Sequence, residues 1–243
     1  ITHVVRGEDH VTNTAIQVEI FKALGADLPK FAHLPLLMDS DGGKLSKRLD
    51  SLSLESLHLQ GFVPQAINGY LTTVGTGVPP EAKPIAQLAE MFDITTLGRA
   101  PVRFDLEQVK RLNAMALHEM PWAEAKGYLE KMDHNLNLSA PEMESFWDAV
   151  KPNLTLLTEF KDQYDIVYGK VETPSLTEED AAYLQEAEKS LPQGPYDLNT
   201  WNEWVGEIKS RTGRKGKSLF MPLRLALTGR EHGPELGALL PVM

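Results

Sequence analysis

Two clusters near the start of this 243-residue chain have residue types suited to holding a nucleotide and a carboxylate. The first is Arg6-Gly7-Glu8-Asp9-His10. The second begins 38 positions later and reads Lys44-Leu45-Ser46-Lys47-Arg48. Two lysines and an arginine behind the Gly42-Gly43 pair make a short cationic arm. Such an arm can fold over a triphosphate and offset the charge that develops as pyrophosphate leaves. Lysine suits that task as a compact charge on a long stem, and Ser46 can donate to an oxygen. Alone, the same run reads as an exposed basic turn. Arg6 offers a planar fork that can grip a carboxylate through two parallel bonds, and Asp9 can accept from a ribose. The plainer alternative pairs Arg6 with Glu8 or Asp9 on the surface.

Position along the chain favours the chemical reading. Thr2–Val5 is mostly β-branched and reads as a strand, so Arg6–His10 falls where a strand gives way to a helix. In open α/β sheets ligands bind outside the carboxyl ends of strands. Thr12 or Asn13 is expected to cap a helix through Ile16, Ile20, Phe21 and Leu24, closed by Gly25. Leu34–Met38 reads as a second strand after a turn at Pro29. Asp39–Gly43 is a turn cluster leading into the basic loop. Beyond it the strand signal largely disappears. Helices are expected over Leu54–Leu59, from Pro64 to Val74, over Ile85–Phe92 and Phe104–Leu117, and over Pro121–Met132. Further helices are expected from Ser139-Ala140-Pro141-Glu142 through Val150, from Thr177, and over Trp201–Ile208, Ser218–Leu227 and Pro234–Leu240. The expected fold class is mainly α: a remnant of a Rossmann-type α/β domain, a helical connector, and an all-helical C-terminal part. The corresponding segments are 1–48, 49–118 and 119–243.

Composition excludes several classes. With no cysteine there can be no disulfide framework and no thiolate metal site. Neither His10 nor His33 has a partner at metal-ligand spacing, so no protein-bound metal is expected. No run of about 20 apolar residues suggests a membrane span, and the reading is cytoplasmic. The chain opens in a strand without an initiator methionine, as a piece of a longer protein would. The net charge is −10, which disfavours a general polyanion binder. Between Lys209 and Arg230, however, seven basic residues occur with no acidic one. That local patch is compatible with docking one defined nucleic acid, although charge alone favours a solvated helix face.

The motif set resembles the bacterial glutamyl-tRNA synthetases, a class I aminoacyl-tRNA synthetase family. The resemblance is carried by Arg6–His10 with Asn13-Thr14, by Phe31-Ala32-His33-Leu34-Pro35 and by Lys44–Arg48. Gly61–Ile67, Arg103–Glu107 with Leu112-Asn113, and Pro222–Gly229 extend it along the chain. It implies two-step chemistry: L-glutamate and ATP, with accompanying Mg2+, form glutamyl-adenylate, and glutamate then passes to tRNA(Glu). Carried over by position, Lys47 would bind ATP with Lys44 assisting, and Arg6 would hold the glutamate side-chain carboxylate. Asp9 and His10 would lie beside the adenosine, and the backbone at Leu37 would meet the adenine. Arg224 with Gly233, Pro234 and Leu236 would read the anticodon, with phosphate contacts from the basic run after Lys209.

Two departures from the family stand out. Its N-terminal nucleotide-binding half is missing, so the chain alone is expected to be inactive. Where some members carry an arginine that favours tRNA(Glu), this chain has Asn153, which implies relaxed discrimination and charging of tRNA(Gln). Two other readings are glutaminyl-tRNA synthetase, disfavoured by the helical C-terminus, and a tRNA-binding module without catalysis.

Overall fold

The computed structural model describes residues 1–39, 42, 43, 45, 52–132, 136, 137, 141–169 and 174–243. The expectations for Lys44, Ser46, Lys47 and Arg48, and for a helix start at Ser139-Ala140, lie outside the described residues. The chain divides into two compact units, residues 1–58 with 62–116, and residues 59–61 with 117–243. Helices dominate both, as expected of a mainly α chain.

The first unit begins with β1 (His3–Gly7), a tight turn at Glu8–His10, α1 (Val11–Ala23) and β2 (Lys30–Leu34). The two strands are parallel, with Arg6 opposite His33, so α1 is their crossover. The helix starts earlier than expected. His10, not Thr12 or Asn13, is its N-cap and supplies no side-chain cap bond, because the turn after Gly7 already carries the chain into helical geometry. Its end is as expected: Gly25 takes φ +63°, and Ala26 N donates to Phe21 O at 3.0 Å, the closing bond of a left-handed glycine cap.

The second strand also differs. Leu34–Met38 is not continuous; β2 ends at Leu34 and β3 is Leu37–Met38. Pro35 sits at the break and has no N–H to give a ladder. A strand that the sequence did not announce follows far along the chain: β4 (Val102–Arg103) pairs in parallel with β3, Leu37 opposite Val102. Helices α2 (Leu54–Leu59), α3 (Pro64–Thr73), α4 (Ile85–Met91) and α5 (Leu106–Glu119) supply the core of this unit. Phe62, Val63, Ala66, Tyr70, Leu88, Val109 and Leu112 are buried there. Asn113 is fully buried and its Oδ1 accepts from Val63 N at 2.7 Å, serving the N–H of the α3 N-cap residue. Tyr70 ties α3 to the start of α5, its hydroxyl accepting from Asp105 N at 2.8 Å. From Ile1 to Met38, by contrast, only Pro29 is buried.

The second unit contains α6 (Trp122–Leu129), α7 (Met143–Val150), α8 (Glu159–Tyr168), α9 (Glu178–Ser190), α10 (Thr200–Thr212), α11 (Lys217–Thr228) and α12 (Leu236–Leu239). Sequence reading had no helix at α8. Its Phe160 ring packs on Trp122, Phe146 and Trp147, with centroids 5.4–6.5 Å apart. Trp147 is fully buried and satisfies its N–H on Met120 O at 2.8 Å. A second core joins Tyr183 and Ala187 to Trp204, Ile208, Leu219, Leu223, Leu236 and Leu240. Thr177 caps α9 as expected, accepting from Asp180 N. Among the described residues no helix is long and apolar enough to cross a membrane.

Candidate functional site

The strand-to-helix junction of the first unit brings Arg6, Thr14, Gln17 and His33 together. Arg6 leaves β1 toward α1, and its Nη2 donates to Thr14 Oγ1 and, at 2.8 Å, to Gln17 Oε1. Thr14 and Gln17 are three apart and so share a helix face. The guanidinium carbon lies 5.6 Å from the centre of the Phe31 ring, within range of a cation–π contact. Its Nε is buried with no partner among the described residues. Thr14 Oγ1 also donates to His10 O at 3.0 Å and lies 2.8 Å from His33 Nε2. Thr14 thus accepts from Arg6, and the direction of its bond with His33 follows the tautomer of the imidazole.

Asp9 and His10 are exposed in the turn after β1. A Cβ on Gly7 would lie 2.6 Å from Asp9 Oδ1, so the glycine makes room for this carboxylate. Leu37 is half-buried in β3. A cleft of about 330 Å3 opens beside the junction, bounded by Glu8, His33, Pro35, Ile94 and Arg99 among others; Arg6 is not in its wall. Of the basic loop only Leu45 is described, half-buried. Among the described residues no group of three or more His, Cys, Asp or Glu could hold a metal ion.

The second unit brings together Arg224, Gly233, Pro234 and Leu236. Arg224 Nη2 donates to Pro234 O at 3.0 Å, and Gly233 has φ +147°. A Cβ on Gly233 would lie 3.6 Å from Arg224 Nη1. This corner bounds a cleft of about 640 Å3, whose wall includes Trp201, Asn202, Phe220, Arg224, Leu236 and Gly237. Asn153 does not line it; it is exposed in the turn Lys151–Asn153 after α7. Sequence reading missed Trp201 and Phe220, which lie on different helices with no spacing rule between them. It also missed Gln17, although its place one helical turn beyond Thr14 could have pointed to it.

The basic run is less available than its composition suggests. Arg214 Nη1 is 2.6 Å from Asp180 Oδ1 and Nη2 is 2.9 Å from Glu179 Oε1, with the side chain only 13 % exposed. Its guanidinium carbon sits 4.4 Å above the Tyr183 ring. Arg211 pairs with Glu207. Within the run expected to supply phosphate contacts, these two arginines are thus already paired to acidic residues on α9 and α10. Hydrogen bonds from Arg214 and Thr177 hold the Asp180 carboxyl below the usual carboxylate range, and burial pushes the Tyr183 hydroxyl up to about 12.

Comparison with known proteins gives these sites a context. Residues 1–114 match the family described as "tRNA synthetases class I (E and Q), catalytic domain", and residues 112–243 match "Anticodon binding domain". Matched from end to end by these two families, the chain belongs to the class I tRNA synthetases. A Granulibacter bethesdensis protein named "Glutamate--tRNA ligase 2" is 45% identical over 243 residues, covering 100% of this chain and 52% of the relative. The protein of the same name from Gluconobacter oxydans is 47% identical over 245 residues, 100% of this chain and 53% of its own length. The fold is also that of a glutamate tRNA ligase crystal structure from Elizabethkingia meningosepticum. There the TM-score is 0.78 at 23% identity, over 100% of this chain and 54% of that one. The chain thus spans about half the length of the relatives it matches.

Proposed function

We propose that this chain serves in a glutamate–tRNA ligase that uses ATP, with Mg2+ accompanying the nucleotide, to attach L-glutamate to tRNA(Glu) through glutamyl-adenylate in the cytoplasm. The observation that carries the reading is the end-to-end match of the two families, with relatives of that name at 45% and 47% identity along the whole chain. In this assignment residues 1–48 belong to the catalytic domain, 49–118 form the connector to the tRNA stem, and 119–243 form the anticodon-binding region. Arg6 takes the substrate's side-chain carboxylate. Its attachment to Thr14 and Gln17 supports this, because a guanidinium fixed before the substrate arrives loses little entropy on binding. Asp9, His10 and the backbone at Leu37 lie on the adenosine side. Lys47, with Lys44, holds the triphosphate, with Leu45, Ser46 and Arg48 completing the loop. Arg224, Gly233, Pro234 and Leu236 face the anticodon.

A glutaminyl enzyme is disfavoured by the names of the relatives. It is further disfavoured by the absence of any strand among the described residues of the second unit. Residues 1–243 by themselves bind tRNA and do not form adenylate. Two assays test this: binding of transcripts of tRNA(Glu), tRNA(Gln) and an unrelated tRNA across a salt series, and ATP–pyrophosphate exchange. Preference for the first transcript, or the first two, with no exchange is the expected result. Equal binding of all three overturns the anticodon assignment, and exchange by the chain alone overturns the inactivity. Asn153 in place of an arginine predicts that tRNA(Gln) binds nearly as well as tRNA(Glu); a strict preference for tRNA(Glu) would rule that out.

A further inference from the structure

The cleft beside Arg224 in the second unit has walls of a particular kind. Trp201 on α10 and Phe220 on α11 stand near-parallel, at 29° with centroids 6.3 Å apart. Phe220 is 41 % exposed, so part of its ring is open to a partner. Trp201 is fixed from behind. It packs edge-on against Trp204 at 5.8 Å, and Trp204 is buried with its N–H on Ala187 O at 2.8 Å. Trp201 also lies against Gly237, where a Cβ would come within 2.9 Å of its ring. A side chain at 237 would therefore push the indole out of place. Arg224 closes one end, anchored on Pro234 O, and its other terminal nitrogen has no partner among the described residues. Asn202 stands exposed at the rim.

The chemistry of these walls selects an occupant. A phosphate needs excess positive charge, but here the single Arg224 guanidinium is offset by the Glu235 carboxylate in the same wall. A flat, uncharged group with a hydrogen-bonding edge fits better. Its face would meet an aromatic ring, and its edge would meet an amide and a guanidinium. A nucleobase lifted out of a loop is such a group, and single-stranded bases are commonly held this way.

We propose that Phe220 and Trp201 form a stacking platform for one unpaired base of the tRNA anticodon loop, with Asn202 at its hydrogen-bonding edge. This rests on the proposed function and adds to it the residues that hold the base. The test uses the whole 243-residue chain and RNA hairpins carrying the glutamate anticodon loop, either intact or lacking the base at one anticodon position in turn. Phe220→Leu keeps apolar bulk and removes the ring face, and at a 41 % exposed position it should leave the thermal midpoint unchanged. Loss of one base stack corresponds to weaker binding of the intact hairpin by about 5- to 50-fold. The same variant should bind one of the base-less hairpins as well as the wild-type chain does. Phe220→Tyr and Trp201→Phe, which keep a ring, should retain most of the affinity.

Unchanged affinity in Phe220→Leu and Trp201→Ala, with both variants folded, overturns the proposal and leaves the tRNA assignment standing. A loss of the same size on every hairpin, with a changed salt slope, also overturns it and means that the cleft holds backbone phosphate. If the wild-type chain binds neither hairpin nor tRNA, the proposal and the anticodon assignment both fail.

Discussion

Arg214 and Pro222 are linked through one carbonyl oxygen. Pro222 lies inside α11 and has no N–H to give to Ser218 O, the acceptor four residues before it. Arg214 Nη1 donates to that oxygen at 3.1 Å. The Tyr183 hydroxyl takes the next carbonyl, Leu219 O, at 2.8 Å. Arg214 thus completes a helix interrupted by proline, while its ion pairs to Glu179 and Asp180 join that helix to the start of α9.

The link predicts a coupling. Arg214→Ala should destabilise the chain by about 1–2 kcal/mol, since it removes the donor to Ser218 O and the ion pairs to Glu179 and Asp180. In a Pro222→Ala background residue 222 regains its N–H, and the same substitution should lose less. A double-mutant cycle by urea denaturation measures the difference. Additive effects would mean that the two residues act independently.

Asp180 gives this corner an acid sensitivity. Its carboxyl is held below the usual range, chiefly by the Arg214 hydrogen bond. A depressed folded-state value contributes stability that is present above the unfolded value of about 4 and is lost as pH falls through the folded one. Asp180→Asn should therefore lower the thermal midpoint at neutral pH and flatten its fall below about pH 4. Parallel curves for variant and wild type would show that the corner does not titrate with stability.

Two glycines should respond oppositely to alanine. Gly61 has φ +92°, and a Cβ there would lie 2.6 Å from Thr158 N. Gly61 O also accepts from Leu157 N at 3.0 Å. Gly61→Ala should cost about 1–3 kcal/mol from backbone strain alone. Gly206 lies within α10, and a Cβ there would meet nothing within 4 Å. Gly206→Ala should stabilise by about 0.5–1 kcal/mol. Chemical denaturation of both variants checks the pair.

The outer face of α1 carries Ile16, Ile20 and Leu24 at 61%, 52% and 76% exposure. Since α1 has no buried residue, Ile20→Lys should change stability by no more than about 0.5 kcal/mol. It should also raise solubility and lower the fluorescence of a hydrophobic dye. A large loss of thermal midpoint would mean that this face is covered in solution.

For the catalytic proposal, an enzyme that carries this chain within a complete catalytic domain gives the test. Arg6→Lys removes the planar fork and should raise KM for glutamate by about 10- to 100-fold, with KM for ATP unchanged. Thr14→Val should move KM for glutamate in the same direction by less. Equal changes for both substrates would place Arg6 away from the carboxylate.

Local rules made part of this structure legible in the sequence. Thr177 announces α9 because its hydroxyl can accept from an N–H in the first turn. Gly25 announces the end of α1 because its positive φ suits glycine. Pro64 opens α3, where the missing N–H is not needed. The mainly helical class and the order of the motifs follow from signals of this kind. Tertiary structure decided what depends on partners distant in sequence. The two-residue strand Val102–Arg103 has too little length for a period and exists because Leu37–Met38 is there to pair with it. Helix α8 is rich in aromatic and β-branched residues, which do not favour a helix by themselves; Phe160 commits it by packing among Trp122, Phe146 and Trp147. Sequence alone also counted Arg214 in the basic run between Lys209 and Arg230. Folding brings it to Asp180 and Ser218 O, 34 and four positions away, because ion pairs and orphaned carbonyls find partners through space and leave no period in the chain.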